Sequence, residues 1–250
     1  MMKLLKCEFL KTRKRYVMLT TLLITLFELC WIFYGKYSDD NIRKGWMMLL
    51  YQLPLINTIF MPLLSIIVAS RLSDIEHKGY MLKQLCCIAP KERVYDAKLV
   101  YGLGMVLASL FLQFAGVYIG GKYLGFGGAF PLNLYVLYWI FTICASFAIY
   151  IFQHTLSLLF KNQAIPFFVG VIGEFFGLFS MFLPQLPWLR NSLLWGYFGV
   201  LQFVGGDWDR ETRITTFYTM EINWIFFAVL IAGMIVLYLI GKRLFVKKEV

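Results

Sequence analysis

Two acids stand inside long apolar runs: Glu28 within VMLTTLLITLFELCWIF and Glu174 within VGVIGEFFGLF. A charged side chain at the centre of a membrane helix lies about 2.5 kcal/mol or more uphill even on low scales, so each must face protein or water. Such a carboxylate could contact a cationic substrate, hold a proton or attract a partner subunit; it could equally sit protonated and hydrogen-bonded to a neighbouring helix. His154, beside Gln153, reads as a polar packing contact between helices. Cys86 and Cys87 are adjacent, but His77 is the lone further ligand type near them, so they read as small apolar residues and not as a metal site. Cys7 joins them on one side, Cys30 and Cys144 fall within apolar runs, and no disulfide framework is implied.

Phosphate chemistry and hydrolysis are poorly provided for. The Gly-rich stretch GFGGAF at 125–130 lacks the Lys-Ser/Thr of a phosphate loop, so this chain is not expected to hydrolyse ATP. There is no HExxH and no DDxxD, and the two histidines are far apart, which argues against a membrane-embedded enzyme such as a lipid-modifying transferase or an intramembrane protease.

The elements that position these residues follow from composition. The chain is 60% hydrophobic and 15% charged, with apolar runs near the ~20 residues that cross a hydrocarbon core of about 30 Å. Spans are expected at 17–35, 46–70, 99–121, 131–160, 164–183 and 223–241. Lipid-facing backbone must satisfy its own polar groups, so an all-α polytopic protein of six transmembrane helices is expected, forming a single domain over 1–250. With the N-terminus inside, 17 of the 24 Lys and Arg residues fall on the cytoplasmic side, and Lys36, Arg43, Lys44, Lys122, Arg190, Arg210 and Arg213 fall outside. The positive-inside rule then places both termini in the cytoplasm, and the net charge of +10 is mostly a topology signal, not a nucleic-acid-binding one. Pro54, Pro62 and Pro166 mark spans two and five as candidates to kink and line a path.

Three segments lie outside these spans. Residues 1–16 place Met2, Leu5 and Phe9 on one helical side with basic residues around the rest, fitting a retained interfacial helix or a plain positive flank. Residues 71–98 carry six basic and four acidic residues around Tyr80, Met81, Leu82, Leu85, Cys86 and Ile88, either a short amphipathic docking helix or a solvated basic loop. Residues 184–222 are too apolar for a solvated connector. Trp188, Leu189, Leu193, Leu194, Trp195, Tyr197, Phe198 and Leu201 fit helices dipping into the outer leaflet, with Asp207, Trp208, Asp209 and Glu211 presenting charge and an aromatic beyond them. That surface suits an amphipathic cationic peptide or simple membrane anchoring. All seven tryptophans (Trp31, Trp46, Trp139, Trp188, Trp195, Trp208 and Trp224) fall in the outer half, as an interfacial belt would.

Six spans, the basic N-terminal stretch, the charged segment between spans two and three and the apolar loop between spans five and six resemble the ABC-2 type permeases, with their type V exporter-like architecture. The runs MKLLKCEFLKTRKR and IEHKGYMLKQLCCIAPKERVYDAKL resemble, more narrowly, the permease subunits of lantibiotic protection (immunity) transporters of the MutE/EpiE kind. The resemblance implies a bacterial plasma-membrane subunit that expels a lantibiotic or similar amphipathic peptide, an ABC-2 exporter of lipid, drug or ion being the alternative. It implies separate ABC ATPase subunits that bind ATP and Mg, no cofactor in this chain, and a second permease, identical or homologous. It assigns coupling to 71–98, with Glu76, Tyr80, Leu82, Lys83 and Leu85 as the residues that meet the ATPase.

Overall fold

The longest helices owe their length to charge as much as to hydropathy. In the computed structural model, which describes residues 1–34, 42–78, 81–183, 185–211 and 215–248, α3 (Gly45–His77) and α5 (Lys91–Tyr123) each run for 33 residues. At 1.5 Å per residue that is about 50 Å, well beyond the roughly 30 Å of hydrocarbon. The segment expected as a charged connector at 71–98 is therefore mostly helix, continuous with both spans, and only α4 (Met81–Ile88) stands between them. The expectation stopped each span at its first charge; instead the charges are used where the helices emerge, as in the Lys78–Asp74 pair at 2.7 Å.

At the same end of the bundle lies α1 (Met2–Lys14), joined to α2 (Val17–Ile32) through a bend of 70°. Tyr16 supplies the bend with φ 55°, a left-handed conformation uncommon for a residue with a Cβ. The α2 helix is inside-out relative to a soluble one. In α2 the buried positions are Val17, Thr21, Thr25, Glu28 and Ile32, one face at helical spacing, while Leu19, Leu23, Leu26, Phe27 and Trp31 are exposed. In α1 the buried residues are Glu8 and Thr12, with Phe9 and Leu10 outward. Polar groups pair inside and apolar ones meet lipid.

The centre is made by α3, α5 and α6 (Leu132–Leu159), with the buried Leu49, Leu53, Met61, Leu64, Leu72, Val106, Leu110, Ala148 and Ile149 in one cluster. Two more helices flank it, α7 (Ala164–Phe182) and α10 (Trp224–Lys247). Asn223 caps α10, its side chain accepting from the Phe226 amide at 3.3 Å. Among the described residues five helices (α3, α5, α6, α7 and α10) are each long and apolar enough to cross a membrane, and α1 with α2, taken as one bent pair, makes a sixth candidate. The multi-pass, predominantly helical architecture expected of the sequence is what the chain adopts.

The opposite end of the bundle departs from pure helix. Between α7 and α10 the chain forms α8 (Pro187–Ser192), a 3-10 turn (Leu194–Gly196), α9 (Tyr197–Val200) and a hairpin of β1 (Val204–Trp208) with β2 (Thr215–Thr219). The strands pair antiparallel in the register Val204↔Thr219 to Trp208↔Thr215. Gly205 and Gly206 with the Thr-Thr-Phe-Tyr-Thr run favour that hairpin over helix, a signal the apolar content of the segment had masked. The tryptophan belt also divides: Trp31, Trp188, Trp208 and Trp224 are exposed, whereas Trp46 and Trp195 are buried packing residues.

Candidate functional site

At the end shared by α1 and α4, four ions form a closed cluster. Lys98 Nζ donates to Glu8 Oε2 at 2.9 Å and to the Leu72 carbonyl at 3.2 Å, and pairs with Glu76 Oε1 at 3.0 Å. Three acceptors saturate an ammonium's three protons. Lys11 Nζ reaches the same Glu76 Oε1 at 2.6 Å and Glu8 Oε1 at 3.4 Å. The Lys98 and Glu76 side chains are each 1% exposed and that of Lys11 is 16% exposed, and two carboxylates against two ammoniums leave the cluster neutral. Burial would lower the Lys11 pKa, but the hydrogen bond to Glu76 and the charges of Glu8 and Glu76 outweigh it and hold it above its ordinary value. One helix step on, Thr12 and Tyr101 share a hydroxyl hydrogen bond at 2.6 Å. Together these contacts tie α1 to α3 and α5.

This placement redefines the expected coupling residues. Glu76 does not face outward to orient a docking helix; it is consumed within the bundle. Leu82 is 4% exposed and packs inward, and Leu85 is half-buried behind it. Lys83 is exposed as expected, beside Gln84, Cys87, Met81 and Ile88, the last 84% exposed. Tyr80 lies outside the described residues, as do Lys36 and Arg213 of the charge count. Cys86 is half-buried, and burial pushes its thiol pKa up, whereas Cys87 is exposed and is not the buried apolar residue its neighbourhood led one to expect. Glu8 and Lys98 carry the cluster and are not among the expected site residues. The available signal was Glu8 itself, a lone acid within a basic run and spaced one turn from Thr12.

Within the membrane, Glu28 heads a chain of hydrogen bonds through four helices. Gln113 Nε2 donates to Glu28 Oε1 at 2.6 Å and to Asn57 Oδ1 at 2.7 Å, and Asn57 Nδ2 donates to Tyr138 OH at 2.6 Å. Glu28, Asn57 and Gln113 are buried, so α2, α5, α3 and α6 are held by one polar thread. Glu28 Oε2 has no partner among the described residues. The Thr58 hydroxyl donates to the Pro54 carbonyl at 2.7 Å and Gln153 Nε2 to the Pro166 carbonyl at 2.6 Å, so side chains answer backbone near both prolines. His154 packs between Tyr95 and Tyr150, ring centroids 5.0 and 5.8 Å away, with neither ring nitrogen hydrogen-bonded among the described residues.

Glu174 is placed differently. It is half-buried on α7, its Oε2 without a partner among the described residues. Gly173 and Gly177 on the same helix press against Trp195, where any Cβ would collide with the indole or its backbone. Trp195 is thus an internal anchor at 8% exposure and not an outward peptide contact, and it fixes the 3-10 turn on α7. Beyond that anchor Trp188 and Trp208 are exposed, 62% and 57%, and Asp207, Asp209 and Glu211 are exposed at the hairpin tip. The Glu211 amide donates to Asp209 Oδ1 at 2.9 Å.

Among the described residues the arrangement offers ion-clasped helices, an uncovered short helix at one end and exposed acids and aromatic rings at the other. A comparison with curated proteins returned no match. The family model described as ABC-2 family transporter protein matches residues 4–177, which takes in α1, the ion cluster, α4 and the Glu28 thread. With more than half of the chain covered, from the α1 clasp into α7, this polytopic protein belongs to the ABC-2 transporter family and is a membrane subunit of an ABC transporter.

Proposed function

We propose that the transporter expels a lantibiotic or similar amphipathic antimicrobial peptide from a bacterial plasma membrane, giving immunity or resistance. The observation that carries this reading is the platform at the hairpin end. Exposed Trp208 offers its ring to apolar and cationic groups, Asp207, Asp209 and Glu211 offer negative charge around it with Arg210 as the cation among them, and Trp188 on α8 adds a second exposed ring. A cationic peptide lying in the outer leaflet would meet both at once. In this reading the hairpin end is external, and both termini and α4 are cytoplasmic.

The ATPase that the family implies takes α4 as its contact. Met81, Lys83, Gln84, Cys87 and Ile88 form its uncovered face, and Leu82 roots it in the bundle, so movement of a bound partner would be passed to α3 and α5. ATP and Mg are bound by that partner. A second permease, identical or homologous, completes the path, with α3 and α7, carrying Pro54, Pro62, Pro166 and Glu174, along it.

One reconstituted assay tests both ends. With the partner ATPase, ATP hydrolysis is expected to rise on addition of a cationic lanthionine peptide. Ile88→Asp should abolish co-purification of the ATPase, while Asp207→Asn with Asp209→Asn should leave the complex intact and raise the peptide concentration for half-stimulation about tenfold, some 1.4 kcal/mol. Stimulation unchanged in the hairpin variant would remove the peptide reading, and an ATPase retained by Ile88→Asp would remove α4 as its seat.

A further inference from the structure

A crevice of about 380 Å³ opens between α2 and α5, lined by Met18, Thr21, Leu22 and Thr25 from one and by Tyr101, Gly104, Met105, Ala108, Ser109 and Leu112 from the other. Its walls are mainly apolar, and its volume falls within the roughly 300–1,000 Å³ of small-molecule sites. The two helices run in the same direction, as the Thr25–Ser109 hydroxyl contact deep in the crevice and the Tyr101–Thr12 contact at its mouth require. From Tyr101 to Leu112 the crevice follows eleven residues of helix, about 16 Å. That is close to half of the roughly 30 Å hydrocarbon core, the reach of one leaflet.

The mouth is basic. Tyr101 touches α1 through Thr12, so the crevice opens beneath the elbow between α1 and α2, where Arg13, Lys14 and Arg15 are all exposed. A helix turned 70° from the span that follows it can lie along a membrane surface, which would hold these three charges at headgroup depth. Tyr16, 69% exposed at the bend, suits the same interface. We propose that this crevice binds one anionic phospholipid from the leaflet against which α1 lies, its acyl chain between α2 and α5 and its headgroup among Arg13, Lys14 and Arg15. Basic clusters beside membrane helices recognise such headgroups through charge. A second cavity, about 470 Å³ beside α10, has Asp96 on its rim and Met1 in its lining, so it lacks this charge match.

The floor permits a clean test. A Cβ at Gly104 would meet nothing within 4 Å, so Gly104→Leu introduces a side chain into the crevice from an open position, and Gly233→Leu, whose Cβ is equally unobstructed on α10, is the matched control. The full-length permease in detergent would be titrated with phosphatidylglycerol or phosphatidylcholine of identical chains, and bound lipid counted by native mass spectrometry. One phosphatidylglycerol is expected to bind at least tenfold more tightly than phosphatidylcholine. Gly104→Leu and, separately, Arg13→Glu with Arg15→Glu at the exposed elbow should each weaken it about tenfold, and Gly233→Leu should not. Equal retention of the two lipids, or loss of phosphatidylglycerol in the control as much as in Gly104→Leu, would overturn the proposal. So would displacement of the lipid by an added cationic lanthionine peptide with Gly104→Leu blocking the peptide, since the crevice would then be a peptide site.

Discussion

The Glu76 end of α3 and the middle of α7 both place a carboxylate where water is scarce, and they treat it in opposite ways. Glu76 receives two ammoniums on one oxygen, in a cluster that is neutral as a whole. Glu174 receives nothing on Oε2 from the described residues, on a helix whose Phe168, Phe175, Phe176 and Phe179 are all more than half exposed. Glu28 stands between them, met by the single amide of Gln113. Compensation therefore falls from two charges to one dipole to none. An ion that the fold has paired is part of the architecture, whereas one it has left unpaired is available to something outside the fold.

Breaking the cluster should have the largest effect. Lys98→Met leaves Glu8 and Glu76 buried with only Lys11 between them, and removal of one partner from a buried pair costs about 3–5 kcal/mol. Thermal unfolding of the purified permease should fall by on the order of 10 °C. Adding Glu76→Leu to Lys98→Met should recover much of the loss, because an apolar pair replaces an unpaired charge. If the single substitution is as stable as the parent, the cluster does not hold α1 to α3 and α5.

Much of this contrast was legible before the structure, but not which acid belongs to which class. Glu28 and Glu174 stand out because an acid in an apolar run is costly wherever it points. Hydropathy also set α6 and α7 within a residue or so of their ends. Glu8 and Lys98 did not stand out, and Glu76 did so only as a residue to meet the ATPase, since a charge near a span end looks solvated until the packing of α1, at 70° to α2, is known. Sequence spacing carries no record of that angle. The same limit turned Leu82 and Trp195 outward in expectation: amphipathic spacing identifies a face, and only the neighbours decide whether bundle or partner covers it.

A middle-sized effect is expected from the thread. Gln113→Leu removes the donor to both Glu28 Oε1 and Asn57 Oδ1 while leaving Asn57 bonded to Tyr138. Two buried acceptors lose one side chain's protons, a cost of about 1–3 kcal/mol. The unfolding midpoint should drop by roughly 5 °C, and Gln113→Glu should fare worse than Gln113→Leu because it sets a second carboxyl against Glu28. Were the Glu variant the more stable of the two, Glu28 would have to be donating to its partner, and the thread would run in the other direction.

Glu174 should give the smallest change in stability and the sharpest test of the comparison. Glu174→Leu removes a carboxylate that no described residue compensates, at a half-buried position beside the Trp195 anchor. Replacing an unpaired polar group by a side chain of similar size in apolar surroundings is neutral or stabilising. The unfolding midpoint should therefore stay within about 2 °C of the parent or rise. Transport is expected to behave differently, since in the function proposed above Glu174 lies along the path shared with a second permease. Export of a labelled cationic lanthionine peptide, normalised to permease in the membrane, should fall severalfold in Glu174→Leu and less in Glu174→Gln, which keeps a hydrogen-bonding head. A variant that exports normally at unchanged stability would show that lack of a partner does not mark a working acid here, and the ordering of Glu76, Glu28 and Glu174 would then describe packing alone.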